Sequence, residues 1–72
     1  MKLKTLLSLI KWDELVEIYD YETGRTLIDC STCDRVRSFA EYDHFIYEVL
    51  NQIVISIKTT ETGTILIAVC EE

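Results

Sequence analysis

The sequence predicts an α+β protein, a compact αββαββ-like single domain in which helices pack on an antiparallel four-stranded sheet. Two observations lead to this prediction. Apolar residues repeat at helical spacing at the start of the chain and again in its middle. Runs of β-forming residues occur in two pairs, and a turn that contains glycine joins each pair. The 72 residues include no proline, linker or low-complexity segment, so we expect residues 1–72 to form one domain.

Residues 3–11 predict a short amphipathic helix, because apolar side chains recur at i, i+3, i+4 and i+7 starting at Leu3. A helix this short is marginal by itself, so it must dock on another element. Residues 14–20 then predict a strand, since they are rich in β-forming residues. Gly24 closes the turn that follows, and residues 25–30 return as the second strand of a hairpin.

The middle of the chain predicts helical structure. Residues 34–42 place apolar side chains on one side, and Ser31 or Thr32 precedes them as a candidate N-cap. Residues 43–50 fit two patterns, because their apolar residues suit a helical stripe while part of the segment also alternates. We therefore expect helix or irregular structure in that segment.

The last third of the chain predicts the second hairpin. Residues 53–59 alternate clearly, with Ile53, Ile55 and Ile57 on one face of the strand. After a glycine turn, residues 64–70 form a strand that is apolar on both faces. That pattern is typical of a strand that is covered on both sides, so we expect both of its faces to be shielded.

The net charge of −6, from 13 acidic and 7 basic residues, argues against two classes of partner. Binding to nucleic acid or to an anionic membrane surface depends on positive charge, so we expect neither. A basic protein surface is the complementary partner. No apolar run approaches ~20 residues, and charged residues rather than a cleavage site follow the apolar N-terminal stretch, so we expect a cytoplasmic protein.

Cys30 and Cys33 form a CxxC motif between a predicted strand and a predicted helix. A redox role needs a thioredoxin-like βαβ unit and its proline, and this chain has no proline and too few residues for that fold. A zinc site would need Cys70 and His44 as further ligands, but these two residues are solitary in the sequence. We expect ordinary small core cysteines and no cofactor or metal, and we keep a small CxxC zinc-binding domain as an alternative.

Acidic residues and tyrosines are concentrated in two stretches without Lys or Arg, residues 13–22 and 41–48. Exposed tyrosines anchor protein contacts because they combine a large area with a hydrogen-bonding tip. Carboxylates interleaved with them predict a surface complementary to a basic site; the alternative is that the acids are merely solvated and the tyrosines pack in the core. The candidate partner-binding residues are Glu14, Glu17, Asp20, Glu22, Glu41 and Asp43 together with Tyr19, Tyr21, Tyr42 and Tyr47.

The apolar spacing from Leu3 to Ile10, the segment Val16-Glu17-Ile18-Tyr19-Asp20-Tyr21-Glu22-Thr23-Gly24 and the ending from Ile53 onward resemble small uncharacterised proteins of phages and mobile elements in Gram-positive bacteria. The resemblance covers most of the chain outside residues 30–50, and it implies a mobile-element origin without a known activity. In size and charge the chain is also similar to phage inhibitors of host nucleases, such as anti-CRISPR proteins.

His44 has Asp43 and Glu41 nearby, yet no nucleophile elbow, phosphate loop or metalloprotease motif accompanies it. We therefore expect a surface histidine and no enzymatic activity. The leading functional hypothesis is a non-enzymatic protein-binding module, an anti-CRISPR-like inhibitor that occupies a basic site on a nuclease complex. The main alternative is a small structural or assembly protein that acts as a homodimer, because a second chain would cover the other face of the last strand.

Overall fold

The computed structural model describes residues 1–71 and confirms an α+β fold with a four-stranded sheet. The strands are arranged in the order β2-β1-β4-β3. The elements in chain order are α1 (Leu3–Leu7), β1 (Leu15–Asp20), β2 (Thr26–Thr32), α2 (Cys33–Phe39), α3 (His44–Leu50), β3 (Ile53–Thr59) and β4 (Ile65–Cys70).

The sheet is mixed, so the prediction of an antiparallel sheet was wrong for its central pair. Both hairpins, β1–β2 and β3–β4, are antiparallel as expected. The strands that join the hairpins, β1 and β4, are parallel, and their register runs from Val16–Ile65 to Asp20–Val69. The apolar sequence of β4 accounts for this placement, because an inner strand has a neighbour on each side and loses more of its surface than an edge strand.

Two of the helices begin at side-chain caps. Thr32 Oγ1 accepts a hydrogen bond from the Arg35 backbone N–H at 3.3 Å at the start of α2, as predicted for one of the two candidate caps. Asp43 caps α3 by accepting hydrogen bonds from the N–H groups of Phe45 and Ile46 at 2.9 and 3.2 Å. This cap explains why the ambiguous segment 43–50 is helical.

The core lies between the three helices and one face of the sheet. β1 contributes Val16 and Ile18 to it, and β4 contributes Ile67 and Val69. Ile28 of β2 is also buried there. The helices complete this cluster with Leu3, Leu7, Cys33, Val36, Val49 and Leu50.

The opposite face of the sheet carries no helix among the described residues, so the helices of the described chain cover only one of the two faces of β4. Its side chains are absent from the core cluster, because they alternate along each strand with the core residues. We call this surface the open sheet face, and it consists of Leu15, Glu17, Tyr19, Ile53, Ser56, Lys58, Leu66, Ala68 and Cys70.

A β-bulge in β3 separates residues that the sequence pattern placed on one face. Ile53 pairs with Cys70 on the open sheet face, whereas Ile57 pairs with Ile67 on the core face. The register shifts between Val54 and Ser56, and an extra residue in a strand moves all later side chains to the other face. The prediction that Ile53, Ile55 and Ile57 share a face was therefore wrong.

The start of the chain lies along the outer edge of β3. Lys2 forms an antiparallel bridge with Ile53. The Leu3 N–H donates to the Gln52 carbonyl oxygen, and the Val54 N–H donates to the Met1 carbonyl oxygen, both at 2.9 Å. These bonds satisfy part of an edge that would otherwise present free backbone groups.

Candidate protein-interaction surface

The carboxyl ends of β1 and β4 meet at one edge of the sheet because the two strands are parallel. Asp20 pairs with Val69, and Glu22 and Glu71 follow two residues beyond that pair. The last turn of α3 lies close to this edge and adds Glu48 to the same region. Carboxylates from three separate parts of the chain therefore converge there.

These carboxylates line two neighbouring open clefts, which together we call the acidic groove. The clefts have volumes of ≈ 350 and ≈ 270 Å³ and share Gln52 and Glu71. Leu27 and Phe45 add apolar surface to the larger cleft. No Lys or Arg from the described chain lines either cleft. The lining residues are Asp20, Glu22, Leu27, Phe45, Glu48, Asn51, Gln52 and Glu71.

The carboxylates of the acidic groove differ in whether they already have a hydrogen-bond or ion-pair partner within the protein. Asp20 accepts a hydrogen bond from Thr23 Oγ1 at 2.8 Å and so helps to close the β1–β2 turn. Glu48 lies 3.3 Å from His44 Nε2. Within residues 1–71, Glu22 and Glu71 take part in no ion pair. These two carboxylates are therefore the ones that an incoming cation meets without competition.

An arginine or lysine side chain is the ligand that this chemistry suits. Phe45 is 54% exposed at the groove, and an aromatic ring supports both the aliphatic stem and the charged head of such a side chain. Carboxylates beside the ring then accept charge-assisted hydrogen bonds from that head group. The groove combines both features at one edge of the sheet.

Only part of the acidic surface predicted from the sequence lies in this groove. Asp20 and Glu22 line it, whereas Glu14 precedes the start of β1 at the far end of the strand. Glu17 is half-buried on the open sheet face.

The second acidic stretch is also divided. Glu41 lines a separate cleft together with Asp34, Arg37 and Ser38, where positive charge is present. Asp43 is occupied in capping α3. Of the carboxylates in residues 41–48, only Glu48 therefore lies at the acidic groove.

None of the four tyrosines is buried in the core. Tyr19 is half-buried on the open sheet face, and Tyr21 follows β1 with 57% of its surface exposed. Tyr42 is 84% exposed in the connection between α2 and α3. Tyr47 lies on α3, where its ring stacks on His44 with centroids 6.3 Å apart. The tyrosines are thus available for contacts, but on different sides of the molecule.

Cys30 and Cys33 lie in different environments. Cys33 is fully buried, and its Sγ–H donates to the Leu7 carbonyl oxygen at 3.2 Å. Cys30 is exposed, with its Sγ 3.8 Å from Thr64 Oγ1, so the expectation of a core cysteine was wrong for this residue. Cys70 is half-buried on the open sheet face, and His44 is exposed on α3. Across residues 1–71, no three His, Cys, Asp or Glu side chains are grouped as a metal site would require.

Sequence reasoning did not select Phe45, Glu48, Gln52 and Glu71 as site residues. Their connection to Asp20 and Glu22 depends on the parallel pairing of β1 with β4, which brings the end of the chain beside the first hairpin. The apolar sequence of β4 indicates an inner strand, but it specifies neither the neighbouring strand nor the direction, so it does not place Glu71 near the end of β1.

Searches with this chain against protein-family models, curated proteins and solved structures found no match. In the described part of the chain, no helix has both the length and the apolar character needed to cross a membrane.

Proposed function

We propose that this protein is a non-enzymatic binding module whose acidic groove holds arginine or lysine side chains of a protein partner. The observation that supports the proposal most directly is the convergence of Glu22 and Glu71 beside the exposed ring of Phe45, with no cation from residues 1–71 lining the groove. Charge complementarity of this kind steers encounter and fixes orientation more than it adds raw affinity.

Within this class, we propose a nucleic-acid-binding protein as the partner. Such proteins carry clustered Arg and Lys side chains that neutralise phosphates, and an acidic protein occupying that cluster inhibits nucleic-acid binding by competition. The net charge of −6 favours this direction of action, because it attracts a basic surface at long range. An anti-CRISPR-like inhibitor of a nuclease complex is one form of this function.

A binding experiment with charge-reversed variants tests the groove. The probe is an arginine-rich peptide titrated by fluorescence at several salt concentrations. Reversal of two groove carboxylates, Glu22→Lys with Glu71→Lys, should weaken binding by roughly tenfold or more. The control, Glu14→Lys with Glu61→Lys, changes the net charge equally at the opposite end of the sheet and should weaken it much less.

Two outcomes contradict the proposal. If both double variants lose binding to the same extent, only the total charge matters and the groove has no role. If affinity is the same at low and high salt, the interaction is not electrostatic, because exposed ion pairs are screened beyond ~10 Å at 0.1 M salt. A separate experiment tests the inhibitor function. A partner captured from host cells should lose nucleic-acid binding when this protein is added.

A further inference from the structure

The open sheet face bears opposite charges in one transverse row. Glu17 of β1 pairs with Leu66 of β4, and Leu66 pairs with Lys58 of β3. The three side chains therefore lie side by side on the same face, with the acid and the base on either side of the central leucine. Neighbouring strands are ~4.8 Å apart, so Glu17 and Lys58 are separated by roughly 10 Å. Among the described residues, neither of them takes part in an ion pair.

The next row of the same face is asymmetric in size rather than in charge. Tyr19 of β1 pairs with Ala68, and Ala68 pairs with Ser56 of β3. The large side chain of Tyr19 therefore lies on one side of β4. The small side chains of Ala68 and Ser56 lie on β4 itself and on its other side. Ala68 is fully buried although no helix of the described chain covers it.

We infer that the open sheet face binds a second copy of this chain, with a two-fold axis running along β4. Such an axis places β1 of one protomer over β3 of the other. Glu17 then faces Lys58 of the second copy, and Tyr19 enters the space above its Ser56. A two-fold axis across the strands would instead place β1 over β1 and β3 over β3, so Glu17 could never face Lys58, and an axis through their row would oppose Glu17 to Glu17. The axis along β4 thus brings opposite charges together in one row and places a large side chain over a small one in the next.

The resulting dimer packs two sheets face to face, with the helices of each protomer on the outside. Sheets packed in this way lie ~10 Å apart and align to within ~30°, a spacing that long Glu and Lys side chains span. The contact also covers Leu15 and Leu66, which lie on the open sheet face with at least part of their surface exposed. Both copies contribute the same residues, as a closed isologous interface requires.

The contact area of the open sheet face limits the expected affinity of the dimer. About this axis only β1, β4 and β3 overlap the second copy. Three strands of about six residues span roughly 15 by 20 Å, which is small beside the ~800 Å² that each partner buries in an interface of standard size. The like net charge of the protomers also opposes association, so the measurement belongs at ~0.15 M salt, where long-range repulsion is screened. We therefore expect a dimer that dissociates in the micromolar range, visible only when concentration is varied.

Sedimentation equilibrium over about a thousandfold range of concentration tests this inference. The mass should rise from 8.4 kDa towards twice that value. Glu17→Lys and Lys58→Glu each place like charges opposite one another, and each should raise the dissociation constant by roughly tenfold. Combining both substitutions restores opposite charges and should bring the dissociation constant back towards that of the wild type.

The control variants are Glu61→Lys and Lys4→Glu, which change the net charge by the same amounts at exposed sites outside the open sheet face. They should leave the dissociation constant within about threefold of wild type. Circular dichroism melting of each variant separates loss of association from loss of folding. A protein that stays monomeric throughout, or a double variant as weak as the single ones, overturns the inference. Failure here leaves the acidic groove untouched, because the groove residues are different.

Discussion

The Cys33 thiol donates a hydrogen bond to the carbonyl oxygen of Leu7 across 3.2 Å, which links the first turn of α2 to the end of α1. Both residues are fully buried. The carbonyl groups at the end of a helix lack partners within that helix. The Leu7 carbonyl oxygen accepts a hydrogen bond from the Ile10 backbone N–H at 3.3 Å, and the thiol is its second donor. Cys33 is therefore a structural residue that joins two short helices, neither of which is stable alone.

The three cysteines should react with a thiol reagent at different rates. Cys30 is exposed and Cys70 is half-buried, whereas Cys33 lies in the core. We expect Cys30 to react first and Cys33 only as fast as the protein opens, because the reagent must reach the sulphur. Time-resolved labelling followed by mass analysis checks the order, and Cys30→Ser should remove the fast phase alone. A fast reaction at Cys33 would contradict its burial.

Stability at alkaline pH should depend on Cys33. Burial raises the pKa of this thiol above its ordinary value of 9.0, with Arg37 opposing the rise and Asp34 adding to it. The folded protein holds the proton more tightly than the unfolded chain, so this contribution is complete below pH 9 and is lost as pH rises through the folded pKa. Urea unfolding from about pH 7 to about pH 10 should show a steeper loss for wild type than for Cys33→Ala. Equal slopes would show that the thiol does not titrate differently on folding.

Gly24 has a φ of +74° at the end of the first turn, and no atom lies within 4 Å of the position that a β-carbon would take there. The cost of a side chain at this position is therefore one of backbone conformation rather than of collision. Gly24→Ala should lower the free energy of unfolding by about 1–2 kcal/mol. Gly24→Asn should cost less, since asparagine tolerates this region better. Chemical denaturation measures both, and an equal cost would point to another cause.

Asp43 should matter for stability and not for partner binding. Its carboxylate accepts hydrogen bonds from two backbone N–H groups at the start of α3. Asp43→Ala should lower the free energy of unfolding by about 1 kcal/mol, while Asp43→Asn, which keeps an acceptor oxygen, should cost little. Binding of the arginine-rich peptide should change little in either variant, because Asp43 does not line the acidic groove. A large loss of binding in Asp43→Asn would place the contact surface elsewhere.

The local elements could be predicted from the sequence because they depend on local chemistry. Helical spacing from Leu3, the cap before α2 and the two glycine turns all appear in the structure, with Gly24 and Gly63 at positive φ. The length of α1 was overestimated, since its regular part ends at Leu7. Ile10 still packs against the core from the turn that follows.

The pairing of β1 with β4 and the bulge in β3 could not be predicted in the same way. Both are decided by contacts between distant parts of the chain, and neither leaves a periodic pattern in one segment. The acidic groove depends on that pairing, so only Asp20 and Glu22 of its carboxylates are among the contact residues that the sequence predicts. The sequence therefore indicates an acidic surface but not the residues that come together.

The parallel central pair also has a consequence for how the chain folds. Each hairpin is local and can close within microseconds. The two hairpins join when β1 pairs with β4, which brings Val16 beside Ile65 from a distant part of the chain. Such non-local contacts slow folding. Either hairpin expressed alone would lack the neighbour that completes its inner strand. The rate-limiting barrier should therefore be the docking of two preformed halves, and substitutions along the β1–β4 seam should slow folding more than those in the turns.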